Sequence, residues 1–550
     1  MTRDEIRTDS AMPTSTSPAS TAPWALTAAE ALDRFRTKQL SPVEYLESLI
    51  GRITAEDERI NAVTEVVEEA VTSAREAEAF YANATADELA EAAADRPLLG
   101  LPVIAKEKHA LAGRGLTQGL LHERETIAEA DAAIIRRIRR AGGYVHARAT
   151  SPEFSCATIT HSPMWGVTRN PWNPDLSPGG SSGGSGAALA AGFAPLATAS
   201  DIAGSTRLPA AFTGTVGFKA PYGRVPGAQP LAADWYRGDG PMARTVADTA
   251  LLARVMVGLD ASDHATIDST GFLADFDPAE AADRLRGRRV ALCVRLGDFP
   301  VGKDIEANTR AVASALESAG AVVEEIELPW TSERIFETAF THFGNLLAPA
   351  MRAATRGHED TLADYTLRFM ADAEAVAARR TQYEGLAMEA QIQAELASAM
   401  DGFDVLLAPT SAVAGLAADG SYLDGITIGA DGVGREAAGS GESATAGNGG
   451  AAGFAGSGGA AGNGSAAESG GNGGRTTGDG VRLDHYWQAH MTMPFNICNR
   501  VPIVGVPSGM AGCGIPTGVQ VIAHPFDDTR AFEVAAAIEQ LMPWTGLAPE

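Results

Sequence analysis

Two serines sit inside glycine-rich turns 24 residues apart, Ser181 in Pro178-Gly-Gly-Ser-Ser-Gly-Gly-Ser-Gly-Ala and Ser205 in Asp201-Ile-Ala-Gly-Ser-Thr-Arg207. Glycine is needed where the chain takes a positive φ, or where backbone N–H groups converge on a ligand with no side chain in the way. Such turns suit a serine nucleophile beside an oxyanion hole. Taken alone, the first run also fits a phosphate-cradling loop or a flexible linker. A phosphate loop of the P-loop kind ends in Gly-Lys-Ser/Thr, and no lysine lies within this run. A linker continues in polar, low-complexity sequence. Here the run passes instead into Ala187-Ala-Leu-Ala-Ala-Gly-Phe-Ala, a small-residue helix suited to tight packing. Other chemical residue types lack a context. His485 and His490 are five apart without the glutamate of a zinc-binding helix and read as packing or pocket-lining residues, and Cys156, with no recognisable histidine partner, reads as a buried small hydrophobe.

Four further segments extend the pattern. Thr168-Arg-Asn-Pro-Trp leads into the first serine run, and Gly217-Phe-Lys-Ala-Pro-Tyr-Gly-Arg-Val-Pro226 follows the second. Gly100-Leu-Pro-Val-Ile-Ala-Lys-Glu107 lies upstream, and Pro494-Phe-Asn-Ile with Gly514-Ile-Pro-Thr-Gly-Val-Gln520 lies near the end. In these blocks, and across residues 28–540, the chain resembles the amidase signature family. The resemblance implies a catalytic triad of Lys106, Ser181 and Ser205, with a cis peptide bond at Ser181 and Ser205 as nucleophile. It also implies an oxyanion hole from the backbone amides of Ile202, Ala203, Gly204 and Ser205, supported by Ser182, Asp201 and Arg207, with no metal and no cofactor. Two positions depart from the family pattern. Ala203 stands where glycine is usual, as in relatives that resemble cyclic-amide hydrolases, which weakens an amidotransferase reading; Glu107 stands where aspartate is usual.

The chemistry requires this combination of residues. A serine hydroxyl attacks only when a neighbouring base takes its proton, and Ser-Lys hydrolases use a neutral amine for that. A lysine in water titrates near 10.4, so at pH 7 roughly one in a few thousand is neutral. Burial disfavours the ammonium form. Leu101-Pro-Val-Ile-Ala, before Lys106, is apolar enough for an interior strand, so Lys106 is expected to be buried and tuned downward.

The elements that must position these residues are read as an α/β fold: one large amidase-signature domain over 24–545, with a central mixed β-sheet flanked by helices on both faces. Residues 1–23 are polar and Pro/Ser/Thr-rich, a disordered tail. Residues 24–95 form an N-terminal helical cap, in which Ser41 caps a helix opening at Pro42 with Glu44 in its first turn. The catalytic core spans 97–227, and residues 288–328 read as a βαβ unit. Residues 332–400 read as a long helical region; the resemblance implies that it is variable and helps line the acyl pocket, which makes Phe340, His342, Phe343, Tyr365 and Phe369 candidate substrate contacts. Residues 429–480, almost wholly Gly, Ala, Ser and Asn, cannot bury enough surface to offset their ordering entropy and read as a disordered insertion.

Composition narrows the function further. A net charge of −26 argues against phosphate-backbone binding and against an anionic membrane surface. No apolar run approaches a membrane span, and four cysteines among 550 residues are too few for a disulfide framework, so a cytoplasmic enzyme is expected. Its expected partner is a small-molecule amide, with no nucleic acid, no membrane, and a homodimer as the oligomer entertained. The leading reading is an amidase that cleaves a carboxamide C–N bond of a linear or cyclic amide through an acyl-enzyme. The alternatives are the A subunit of a glutamyl- or aspartyl-tRNA amidotransferase, a 6-aminohexanoate-type cyclic amide hydrolase, and a silent scaffold.

Overall fold

The computed structural model describes residues 22–437, 475–477 and 480–549. The expected N-terminal tail lies outside them, except for its last two residues. Among the described residues eleven strands form one mixed sheet. They are β1 (Val63–Val66), β2 (Pro102–Lys106), β3 (Tyr144–Ala149), β4 (Leu196–Asp201), β5 (Val216–Lys219), β6 (Gly238–Ala243), β7 (Arg289–Leu292), β8 (Val322–Glu325), β9 (Val405–Pro409), β10 (Ile503–Met510) and β11 (Pro516–Ala523). Their spatial order is β1-β3-β2-β4-β6-β5-β10-β11-β9-β7-β8.

Helices cover both faces of this sheet, and the central strands read accordingly as runs of apolar and small residues with little polar alternation. Every residue of β2, β3 and β4 is buried. β2 runs parallel to both β3 and β4, so the C-terminal ends of β2 and β4, carrying Lys106 and Asp201, lie toward the same edge. The helix Gly183–Ala190 is buried along its whole length. Its glycines permit the approach: a Cβ at Gly184 would lie 2.5 Å from the Thr150 carbonyl oxygen, at the end of β3.

The Pro42–Ile60 helix forms as its sequence dictates. Ser41 and Glu44 make a reciprocal capping box, and Asn61 in the left-handed region, at φ 55°, ends it. The expected βαβ unit is β7, the helix Lys303–Ser318, and β8 in parallel register with β7. The variable region comprises the helices Ser332–Ala354, Asp364–Ala377 and Gln382–Ala399.

Two boundaries differ from expectation. The N-terminal cap is not wholly helical, because Val63–Val66 joins the main sheet antiparallel to β3. The Gly-rich segment begins later than residue 429: Val433–Glu436 is a strand antiparallel to Ile426–Ile428, which pairs in turn with Gly480–Leu483 in a separate small sheet. Gly432, at φ 74°, makes the turn, and the buried Val433 anchors the strand. Composition averaged over the segment hid this short hairpin. Residues 438–474 and 478–479 lie outside the described residues, so the expectation of disorder there concerns a part not described.

Candidate active site

Lys106, the last residue of β2, is fully buried with its ammonium end among three serine hydroxyls. Its Nζ lies 2.7 Å from Ser181 Oγ, 3.0 Å from Ser182 Oγ and 3.1 Å from Ser200 Oγ. None of these is a carboxylate. A neutral amine offers two N–H donors and one lone pair, which three hydroxyls satisfy by accepting two bonds and donating one. Burial pushes the Lys106 amine well below the ordinary lysine value, and the positive charges of Lys108 and Arg237 add to the effect against the opposing pull of Asp239 and Asp201. The environment therefore favours a base over a cation.

The serines come from the turn before the Gly183–Ala190 helix. The Gly180–Ser181 peptide bond is cis. No side chain fits at Gly180, where a Cβ would lie 2.5 Å from the Ile159 carbonyl oxygen. The Ser182 amide donates to the Ser205 carbonyl at 3.2 Å, tying the two serine turns together.

Ser205 follows the end of β4, and its hydroxyl has no hydrogen-bond partner among the described residues. Behind it lies a buried brace. Arg207 Nε and Nη2 donate to the two Asp201 oxygens at 3.0 and 2.9 Å, while Arg207 also donates to the Thr492 carbonyl, Gln520 and Asn496. Asn496 donates to Asp201 at 2.9 Å. Burial alone would raise the Asp201 carboxyl, but the Arg207 guanidinium and these hydrogen bonds hold it well below the carboxylate range. Both side chains are closed to solvent, so this pair is no ordinary surface ion pair.

The same carboxylate corrects one expectation. The Gly204 amide donates to Asp201 Oδ1 at 2.7 Å and so is not free for an oxyanion. The amides of Ile202, Ala203 and Ser205 donate to nothing among the described residues. Gly204 itself is required by geometry: its φ is 119°, and a Cβ there would lie 1.9 Å from Thr492 Oγ1. That hydroxyl donates to the Ala203 carbonyl at 2.6 Å, fixing the turn from the opposite side.

Ser181, Ser200, Asp201, Ile202 and Ser205 line one narrow cleft with Lys108, Phe154, Ser155, Arg237 and Leu347. Its free volume, about 10 Å³, admits about one water. Beside Lys106 a second polar chain runs away from the cleft. The Lys106 amide donates to Thr198 Oγ1 at 3.0 Å, Thr198 Oγ1 sits 2.8 Å from His109 Nδ1, and His109 Nε2 lies 3.2 Å from Asp239. Lys108 approaches the same Asp239 at 3.4 Å; burial lowers its amine to about 8 against the pull of that carboxylate. Glu107 accepts the Thr117 and Gln118 amides and so holds the loop after β2 rather than facing the serines.

The structure brings together Lys106, Ser181, Ser182, Asp201, Ile202, Ala203, Gly204, Ser205 and Arg207, all expected from sequence. It places the aromatic candidates elsewhere. Phe340, Phe343 and Phe369 pack on one another and on Trp487. His342 stacks on Tyr236 and meets Asp234 at 2.8 Å, while Tyr365 donates to the His161 carbonyl. None of the five lines the cleft; the Ser332–Ala354 helix, which carries Phe340, His342 and Phe343, contributes Leu347 instead, because its aromatic side chains face the hydrophobic core. Cys156, His485 and His490 are packed inside as expected, His490 pushed down to about 3 by burial and Cys156 up to about 12. Sequence reasoning missed Ser200, Arg237, Asn496, Thr492 and Gln520. Asn496 and Gln520 lie in the Pro494–Ile497 and Gly514–Gln520 segments already read as part of the pattern, and Ser200 directly precedes Asp201, but no role was assigned to any of them.

Known proteins resemble this chain along most of its length. The Amidase family model matches residues 44–421. The chain is 30% identical over 521 residues to the A subunit of the glutamyl-tRNA(Gln) amidotransferase of Ralstonia pickettii, spanning 92% of this chain and 96% of that protein. It is 29% identical over 539 residues to an acylamidase of Rhodococcus erythropolis, spanning 95% and 97%. The solved structure of a bacterial aryl acylamidase of the amidase signature enzymes superposes with a TM-score of 0.75 at 25% identity, covering 96% of this chain and 98% of that one. A 6-aminohexanoate cyclic dimer hydrolase, at 24% identity and a TM-score of 0.72, shares the fold.

Proposed function

The chain belongs to the amidase family, and from that premise we propose that it is a stand-alone amidase that hydrolyses a carboxamide to a carboxylate and ammonia or an amine. The observation that carries the reading is the buried Lys106 Nζ, 2.7 Å from Ser181 Oγ, in a cleft that Ser205 shares.

In this reading Ser205 Oγ attacks the carbonyl carbon as its proton passes to Ser181 Oγ, and the Ser181 proton passes to Lys106 Nζ. The Ser205 hydroxyl, unbound in the free protein, turns onto Ser181 when the substrate arrives; free-enzyme contacts of this kind commonly tighten only in the complex. The amides of Ile202, Ala203 and Ser205 donate to the developing oxyanion. The proton then returns through Ser181 to the substrate nitrogen, the C–N bond breaks, and the amine leaves. Water, deprotonated along the same route, attacks the ester carbonyl, releases the carboxylate and regenerates Ser205. Ser182 and Ser200 hold the lysine in register, and the Asp201–Arg207 brace holds the Ser205 turn.

A second reading is favoured by the relatives named as A subunits of glutamyl-tRNA(Gln) amidotransferase. That reading requires partner chains. Liquid-chromatographic product detection with the purified chain alone, on primary aliphatic, anilide and cyclic amides, separates the two. Turnover that disappears in Ser205→Ala supports the stand-alone amidase. A folded chain inert on every amide favours the partner-dependent reading.

A further inference from the structure

Lys108 and Arg237 are the two side chains shared by the Ser205 cleft and a much larger chamber, about 520 Å³ in volume. A chamber of that size accommodates the body of a small-molecule substrate. Its wall is largely apolar, with Leu116, Ile134, Val225 and Leu231 among the lining residues.

The charged groups of this chamber are matched, with one exception. Asp239 is taken by Lys108 and His109. Asp131 accepts the Ala112 amide and meets Arg139 at 3.2 Å, Arg136 is bound to Asp260 at 3.0 Å, and Asp263 accepts the Gly227 and Ala265 amides. The exception is Arg237. Its guanidinium enters no hydrogen bond or ion pair among the described residues, and its Nε is closed to solvent without an acceptor. Asp234 and Asp239 lie near enough to feel its charge, but Asp234 is held through Oδ1 by His342 and the Tyr236 amide, its Oδ2 being buried without a hydrogen-bond partner among the described residues, and Asp239 is held as above. A half-buried guanidinium without a counterion is costly, and its planar fork matches a carboxylate in bidentate geometry.

We propose that Arg237 is a specificity residue that binds a carboxylate on the substrate, so that the preferred amide is anionic, its apolar body in the chamber and its scissile carbonyl at Ser205. Among the charged side chains that line the chamber, Arg237 is the one cation without a carboxylate partner among the described residues, which suits a single carboxylate group. This inference rests on the amidase reading of the same site.

The test compares kcat/KM of the purified full chain for butyranilide, for succinanilate with its carboxylate on the acyl half, and for para-butyramidobenzoate with its carboxylate on the amine half. One carboxylated amide is expected to exceed butyranilide by about tenfold or more. In Arg237→Gln that ratio should fall toward one. In Arg237→Lys it should be intermediate, and in Arg237→Glu the preference should pass to the cationic gamma-aminobutyranilide. Circular dichroism checks that each variant is folded. Equal kcat/KM for all three substrates, or a carboxylate preference that survives Arg237→Gln, overturns the inference while leaving the amidase reading intact. If the wild type hydrolyses none of them, calorimetric titration with succinanilate and with para-butyramidobenzoate decides: binding lost in Arg237→Gln keeps the anion site, and binding of neither, or binding that survives Arg237→Gln, overturns it, while the amidase reading stands or falls on the wider panel of primary and cyclic amides.

Discussion

Burial, and after it the positive charges of Lys108 and Arg237, hold the Lys106 amine well below the ordinary lysine value among three hydroxyls and no carboxylate contact, which in the proposed mechanism lets it serve as the base. Because the neutral form is the active one, kcat/KM should rise with pH through the lysine's depressed pKa and level off well below the value of about 10.4 of a free lysine. A profile still rising at that pH would contradict the assignment. Lys106→Arg, which keeps the charge but cannot give up a proton, should lower kcat/KM roughly 10³-fold or more, as for other members of serine triads; steady-state assay of the folded variant checks it. The reactive residues were legible because a lysine segment and two glycine-bound serine turns fall in a shared order. Arg237 was not, since an arginine beside Gly238 has no local pattern that distinguishes it from a surface residue. Its significance comes only from the lack of any acceptor around it.

At the scale of elements, the Ser205 turn is shaped by groups far away in the chain: Thr492, Asn496 and Gln520 all meet Arg207 or the turn itself. Sequence showed that Asp201 and Arg207 flank the nucleophile, but whether such a pair is exposed depends on what packs over it, and that covering comes from residues nearly three hundred positions on. Asp201→Asn leaves a buried arginine uncompensated and should cost about 3–5 kcal/mol in denaturant unfolding. The sign of the pH effect follows from the depressed carboxyl. Its folded pKa lies below its unfolded one, near 3.9, so its stabilisation is present above that pH and is lost as pH falls through the folded value. Acid titration of thermal stability should show a steeper loss in the wild type than in Asp201→Asn. Gly204→Ala should abolish activity, because its φ of 119° and the closeness of Thr492 leave a methyl group no room; a fully active Gly204→Ala protein would contradict the description of the turn. The aromatic candidates on the Ser332–Ala354 and Asp364–Ala377 helices came from what the resemblance implies for this region, and a resemblance in the serine and lysine segments does not say whether an aromatic face elsewhere meets a cleft or a core.

For the whole molecule, a mixed sheet with helices on both faces was expected from the family pattern, whereas the small sheet that includes Ile426–Ile428, Val433–Glu436 and Gly480–Leu483 was not, because glycine-rich composition masks short strands. That sheet holds both flanks of the Gly-rich stretch, one on either side of Ile426–Ile428. Replacing residues 440–472 by a short Gly-Ser linker should therefore leave kcat/KM and the melting temperature nearly unchanged, since closing a shorter loop changes the entropy only slowly with length; a large loss in either would give the stretch a role. No helix among the described residues is long and apolar enough to cross a membrane. The most direct test of the central claim takes the purified chain alone, quenches it during turnover of an activated aryl ester and of an anilide, and maps the acyl group by peptide mass spectrometry beside Ser205→Ala. The account predicts released amine from the anilide, an acyl group on Ser205 with the ester, and neither in the variant. Anilide hydrolysis that persists in folded Ser205→Ala, or an acyl group carried on any other residue, would contradict it.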